Sequence, residues 1–106
     1  MKINLVGIAL QAEDPAASAQ WFVDHFGFTK NIDIGWYVNT THEGHDNLSL
    51  DFVQRDHESA PEVLRGKRVA GTLLGFVVDD VDAEERRLRQ AGLEVLLPLV
   101  TEPWGQ

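Results

Sequence analysis

His42, Glu43, His45 and Asp46 bring two imidazoles and two carboxylates together in one short stretch, the donor types that hold a divalent metal. They fall, however, in the polar, glycine-containing segment Thr41 to Asn47, which reads as a hairpin loop. Nothing rigid fixes ligand geometry there, and a solvated turn is the expectation. His25 sits near the end of a helical stretch, where a cation suits the helix dipole. His57 lies in a charged segment beside Asp56 and Glu58. No Ser, Cys and His arrangement points to a nucleophile, and no glycine-rich phosphate loop is present. Asp51 is more informative because it interrupts the alternating apolar strand Leu48 to Val53. If Leu48, Leu50 and Phe52 pack under a helix, Ser49 and Asp51 face the other way. A carboxylate buried there needs a partner, such as Gln11, Tyr37 or a cationic group of a ligand. An aspartate at a strand edge in water is the alternative.

The elements that must position these residues come in two similar units. In the first, an apolar strand over Lys2 to Leu10 leads to Asp14, an N-cap, with Pro15 at the first helical position. Ala19, Phe22 and Phe26 then share one helical face, and Gly27 supplies a left-handed exit. Phe28 to Asp33 and Trp36 to Thr40 read as paired strands around a turn at Gly35. The second unit repeats the opening: Thr72 to Val78 as a strand, Asp80 or Asp82 as a cap, a helix, and a stop at Gly92. Asp82 to Glu85 resembles a capping box. Glu94 to Leu97 reads as one further strand. The expected class is α+β, with paired βαβββ modules forming a cup-shaped mixed sheet. The boundaries are 1–53 for the first module, 54–68 for a linker with a short helical turn near Pro61, and 69–106 for the second. The second module has room for one strand after its helix. It is expected to lack its last two strands, roughly 15 to 25 residues at ordinary lengths.

Seventeen acidic residues against nine basic ones give a formal net charge of −8. That field repels phosphate backbones, so nucleic acid is excluded as a partner, and cationic ligands are mildly favoured. The chain has no cysteine, which fits a cytoplasmic location. No signal-peptide pattern and no apolar run of roughly 18 residues is seen, so no membrane association is expected.

Several motifs then occur in order. These are Trp21-Phe22 followed after three residues by Phe26-Gly27-Phe28, the Gly35-Trp36-Tyr37-Val38 segment, Val78-Asp79-Asp80-Val81-Asp82-Ala83, Ala91-Gly92-Leu93, and Pro103-Trp104-Gly105-Gln106. Together they resemble the vicinal oxygen chelate superfamily, which includes glyoxalase I, bleomycin resistance proteins and extradiol dioxygenases. The resemblance spans the whole chain. It implies paired modules around a cup, and in the enzymes a divalent metal held by His, Gln or Glu. Aligned on Asp14 and Asp80, the first ligand positions fall at Gly7 and Leu73, neither of which can donate to a metal. A catalytic metal ordinarily needs at least three protein ligands. No metal, no cofactor and no catalytic residue is therefore expected.

If Gly7 faces the cup, so do Leu5, Ala9 and Gln11, a lining that offers room rather than chemistry. Trp36 and Trp104 are candidate aromatic walls, as in bleomycin-binding relatives, while Trp21 is read as packing. The expected ligand-binding set is Gln11, Trp36, Ser49, Asp51 and Trp104. The function it implies is metal-free sequestration of a planar small molecule such as a drug, with a cationic one favoured. The alternatives are a metal-dependent lyase or dioxygenase, or a ligand-free shortened paralogue serving as a dimer partner. A homodimer is expected because an incomplete second module leaves open strand edges.

Overall fold

The computed structural model describes residues 1–96. The first unit, Met1–Thr72, is a complete βαβββ module. Its elements are β1 (Val6–Ala12), α1 (Pro15–Phe26), β2 (Phe28–Asp33), β3 (Tyr37–His42) and β4 (His45–Gln54). A single 3₁₀ turn, Glu62–Leu64, follows. The four strands form one sheet in the order β1-β4-β3-β2. β1 and β4 are parallel, joined through α1 and the β2-β3 hairpin, while the other pairs are antiparallel.

Helix α1 forms where its signals lie. The Asp14 carboxylate accepts from the Ala17 N–H at 3.1 Å, Pro15 fills the first turn, and Gly27 adopts φ 72 with its N–H bonded to the Phe22 carbonyl. The register then sorts the side chains. Val6, Ile8 and Leu10 on β1 align with Leu48, Leu50 and Phe52 on β4, and Phe52 and Leu50 align with Val38 and Thr40 on β3. This face carries the core: Val38 is 0% exposed and Phe52 2%, with Leu50, Ala12 and Ala19 also buried. Phe22 of α1 lies 5.4 Å from Phe52, ring centre to ring centre, which fixes the helix to this face. The buried Thr40 hydroxyl donates to the Leu50 carbonyl at 2.6 Å, so this polar side chain within the layer is satisfied. Leu48, expected under the helix, is instead largely exposed at the far end of β4.

Three local expectations are corrected. The expected loop 41–47 shrinks to the turn at Glu43 and Gly44, and His42 pairs with His45 across it. Gly44, at the second central position of the turn, takes φ 78, the positive angle that a type II turn requires there, so the strands can run on to both histidines. β1 starts at Val6 rather than Lys2, because β4, its one partner among the described residues, is in register with it from Leu48 onward. The segment 54–68 is not a free linker but part of the first unit. Arg55 N–H donates to the Ala12 carbonyl, Arg55 pairs with Glu13 at 2.7 Å, and Gln11 Nε2 donates to the Leu64 carbonyl at 2.7 Å.

The second unit begins at Leu73. Helix α2 (Val81–Gln90) is capped by Asp80, whose carboxylate accepts from the Ala83 N–H at 3.0 Å; Asp82 lies within the first turn. Glu84 with Arg87 and Glu85 with Arg89 form ion pairs along its surface. Gly92, at φ 86, follows the helix as expected. The strand expected over Thr72 to Val78 does not form. Apolar content and β-branching favour an extended chain, but a strand needs a sheet ladder, and none to this segment forms among the described residues. Leu73 is left 98% exposed. Glu94 to Leu96 is likewise outside any strand; Leu97, the end of that expected element, lies outside the described residues.

Candidate functional site

The sheet face opposite α1 is polar, and strand register explains why. Gly7 aligns with Ser49, Ala9 with Asp51 and Gln11 with Val53 on one side of β4. Thr41, Asn39 and Tyr37 align with the same three β4 residues on the other. One face of three strands therefore gathers Ser49, Asp51, Tyr37, Asn39 and Thr41.

Asp51 is the hub. It is 9% exposed, and two neutral side chains donate to it. Asn39 Nδ2 reaches Oδ1 at 2.7 Å and the Ser49 hydroxyl reaches Oδ2 at 3.3 Å, and the Tyr37 phenol lies close enough to feel the carboxylate charge. The network runs on outward, since Asn31 Nδ2 donates to Asn39 Oδ1 at 3.1 Å and to Thr41 Oγ1 at 2.9 Å. Among the described residues no cationic side chain forms an ion pair with Asp51. Gly7 lies directly beside it. A Cβ there would come 3.0 Å from Ser49 Oγ and 3.6 Å from Asp51 Oδ2. Gly7 has no positive φ, so the missing side chain matters for space, not for backbone conformation.

Tyr37 registers this environment. Burial pushes its phenol above the ordinary 10.0, and the Asp51 charge and hydrogen bond push it further; the Asn39 contact works the other way. Because the folded pKa is raised, the associated stability is complete below the unfolded value and is lost as pH climbs through the folded one. Tyr37 is the only tyrosine, so absorbance at 295 nm follows it alone. The expected result is a midpoint above 10.0, lowered but still raised in Asp51→Asn, because burial is the largest cause. Urea midpoints should fall as pH rises beyond about 10, and less so in Tyr37→Phe. A phenol titrating at its ordinary value would contradict the network.

The other expected site residues are dispersed. Ser49 and Asp51 come together as anticipated. Gln11 shares their strand face, but its amide is turned to the Leu64 carbonyl, and its Oε1 is buried without a partner among the described residues. Gln11 also borders a cavity of about 430 Å³ beside α1, walled by Leu10, Trp21, Phe22, Phe52 and Val69. Trp36 precedes β3 in the opposite alternation to Tyr37 and Asn39. Its ring stacks on His57 at 3.8 Å and 1°. Trp104 lies outside the described residues. His42 turns inward, its Nε2 lying 2.9 Å from the Phe26 carbonyl at the end of α1. Asn39 and Asn31 were not anticipated; the alternation Tyr37-Val38-Asn39 would have placed Asn39 beside Asp51 once the β3-β4 register was known.

The family model for the Glyoxalase/Bleomycin resistance protein/Dioxygenase superfamily matches residues 4–106. The chain belongs to this superfamily. No curated protein matches it. Among solved structures, Oxidase ChaP-H2 is 27% identical with a TM-score of 0.55, over 87% of this chain and 65% of that one. The chain thus spans just under two thirds of that protein's length. A possible glyoxalase from Bacillus cereus is 17% identical, TM-score 0.60, over 86% of this chain and 76% of that one. TioX from Micromonospora sp. ML1 is 21% identical, TM-score 0.62, over 95% and 82%. The last two similarities speak for the fold.

Enzymes of the superfamily imply a divalent metal, and the described residues do not by themselves fit one. Gly7 has no donor atom and Leu73 carries only hydrocarbon. Among the described residues no three His, Cys, Asp or Glu side chains are grouped to hold an ion. Asp51 alone falls short of the three protein ligands that a catalytic metal ordinarily takes.

Proposed function

We propose that the chain is a metal-free small-molecule-binding member of the superfamily that sequesters a planar ligand, a cationic one being favoured. The observation that carries this reading is Asp51, a nine-tenths buried carboxylate with neutral donors only. Burying a charge is costly unless something compensates it, and a ligand cation would complete the set. The acidic surface would draw such a ligand in. A second reading is an enzyme of the oxidase type, favoured by the 27% identity to a protein named an oxidase.

β1 is an edge strand among the described residues, with Leu5, Val6 and Ile8 exposed around it. A homodimer that covers this edge is part of the proposal. Native mass spectrometry with and without added zinc, nickel, iron and manganese, and with planar basic dyes, tests all three elements together. The expected spectrum is a metal-free dimer that takes up dye. About one tightly held metal per chain would favour the enzyme, and a monomer would remove the dimer from the proposal.

A further inference from the structure

We infer that the cavity beside α1 is a further binding site, separate from the Asp51 face, for a small neutral aromatic molecule carrying one hydroxyl. Helix α1 packs over β2, β3 and β4 and only lightly on β1, which leaves space above Leu10. That space is about 430 Å³, inside the roughly 300–1,000 Å³ range of small-molecule sites. Its walls are Leu10 and Phe52 on the sheet, Ala17, Trp21 and Phe22 on the helix, and Val69 from the segment beyond. All of them belong to the first unit, so the site is complete within it. The Trp21 indole is 42% exposed, and Phe22 at 5.0 Å and Phe26 at 5.3 Å brace it, ring centre to ring centre. Flat aromatic walls suit a planar ring. No Asp, Glu, Lys, Arg or His lines the cavity, so a charged ligand would give up its hydration there with nothing to pair with. Ser18 is the one hydroxyl on the wall. It is half-buried and forms no hydrogen bond among the described residues, so its Oγ is left for a ligand hydroxyl. Gln11, the other polar residue of the lining, already donates its amide N–H to the Leu64 carbonyl.

The test titrates 2-naphthol, 2-naphthylmethylamine and 2-naphthoate into the isotope-labelled full chain near pH 7, read by NMR shifts of the backbone amides and indoles. 2-Naphthol should move Leu10, Ser18, Trp21 and Val69 and leave Asn39, Ser49 and Asp51 in place. The ammonium and the carboxylate should bind there about tenfold or more weakly. Ser18→Ala should weaken 2-naphthol about two- to tenfold, the weight of one neutral hydrogen bond. Ala17 is exposed on the helix, where leucine is well tolerated, so Ala17→Leu should keep the fold and, by filling the space, weaken binding about tenfold or more. Asp51→Asn should change nothing at this site, which separates it from the cation reading. Thermal melts report whether each variant stays folded. Shifts confined to the Asp51 face, or undiminished binding by Ala17→Leu, would overturn the proposal. So would equal binding of the three probes at the cavity. If no probe binds, the site falls; a dimer that Ala17→Leu turns into a monomer would then assign the groove to contact between copies.

Discussion

Phe52→Ala should destabilise the first unit by about 3–5 kcal/mol, the range for truncating a buried aromatic. Phe52 is 2% exposed, meets Phe22 of α1 at 5.4 Å, and shares its layer with Val38 and Leu50. It lies at the centre of a small apolar layer on a four-stranded sheet carrying one helix, so little surrounding mass can collapse into the void. Domains of this size are stable by only about 5–15 kcal/mol in all, so the variant should be near its unfolding midpoint in mild urea. Phe52→Leu keeps most of the volume and should lose clearly less. Urea unfolding followed by far-UV circular dichroism measures both. A loss under about 1 kcal/mol for Phe52→Ala would mean that α1 does not sit on this face.

Much of that arrangement was legible in the residue order. Asp14, Pro15 and Gly27 mark α1 because caps and stops are local devices, decided by the few residues around them. The alternation across Leu48 to Val53 placed Leu50 and Phe52 on one face and Ser49 and Asp51 on the other, since side-chain period alone settles that. Pairing was less legible. The hairpin 41–47 was read as loop because its residues are polar, yet only Glu43 and Gly44 turn, and polar residues make adequate strands where one sheet face is polar. Thr72 to Val78 failed in the opposite sense. Its composition says strand, but composition cannot supply the neighbour whose carbonyls and N–H groups a strand needs.

The site divides along the same line. Asp51 stood out as a charge inside an apolar run, a feature visible without any pairing. Ser49 was legible beside it, two positions away on the same strand, whereas Asn39 reaches it only through the β3-β4 register. Trp36 looked like a ligand wall from its aromatic character. Its ring stacks on His57, from a segment read as linker, and no local pattern couples those two residues. Gly7 was recognised as a position unable to bind metal. That any side chain at this position would crowd Ser49 and approach Asp51 is a fact of three dimensions.

The largest effect on the polar face should come from Asp51→Leu. Leucine keeps the branching of aspartate but puts two bulkier methyl groups where the oxygens were, so some overpacking accompanies the chemical loss. It removes the common acceptor of Asn39 and Ser49. A buried donor left without an acceptor costs about 1–3 kcal/mol. The two costs do not simply add. The Ser49 hydroxyl can rotate to another acceptor or water, whereas the Asn39 amide is held from behind by Asn31. The expected loss is therefore about 2–4 kcal/mol, dominated by Asn39. Asp51→Asn keeps an oxygen for that amide and should lose less than half as much. The two variants separate structural from recognition roles, since both remove the charge while only leucine strands the donors. Urea unfolding of the two variants beside Asn39→Ala provides the check. In the leucine background Asn39→Ala should be nearly neutral, because its amide has already lost its acceptor; equal losses in both backgrounds would show that Asn39 and Asp51 are not coupled.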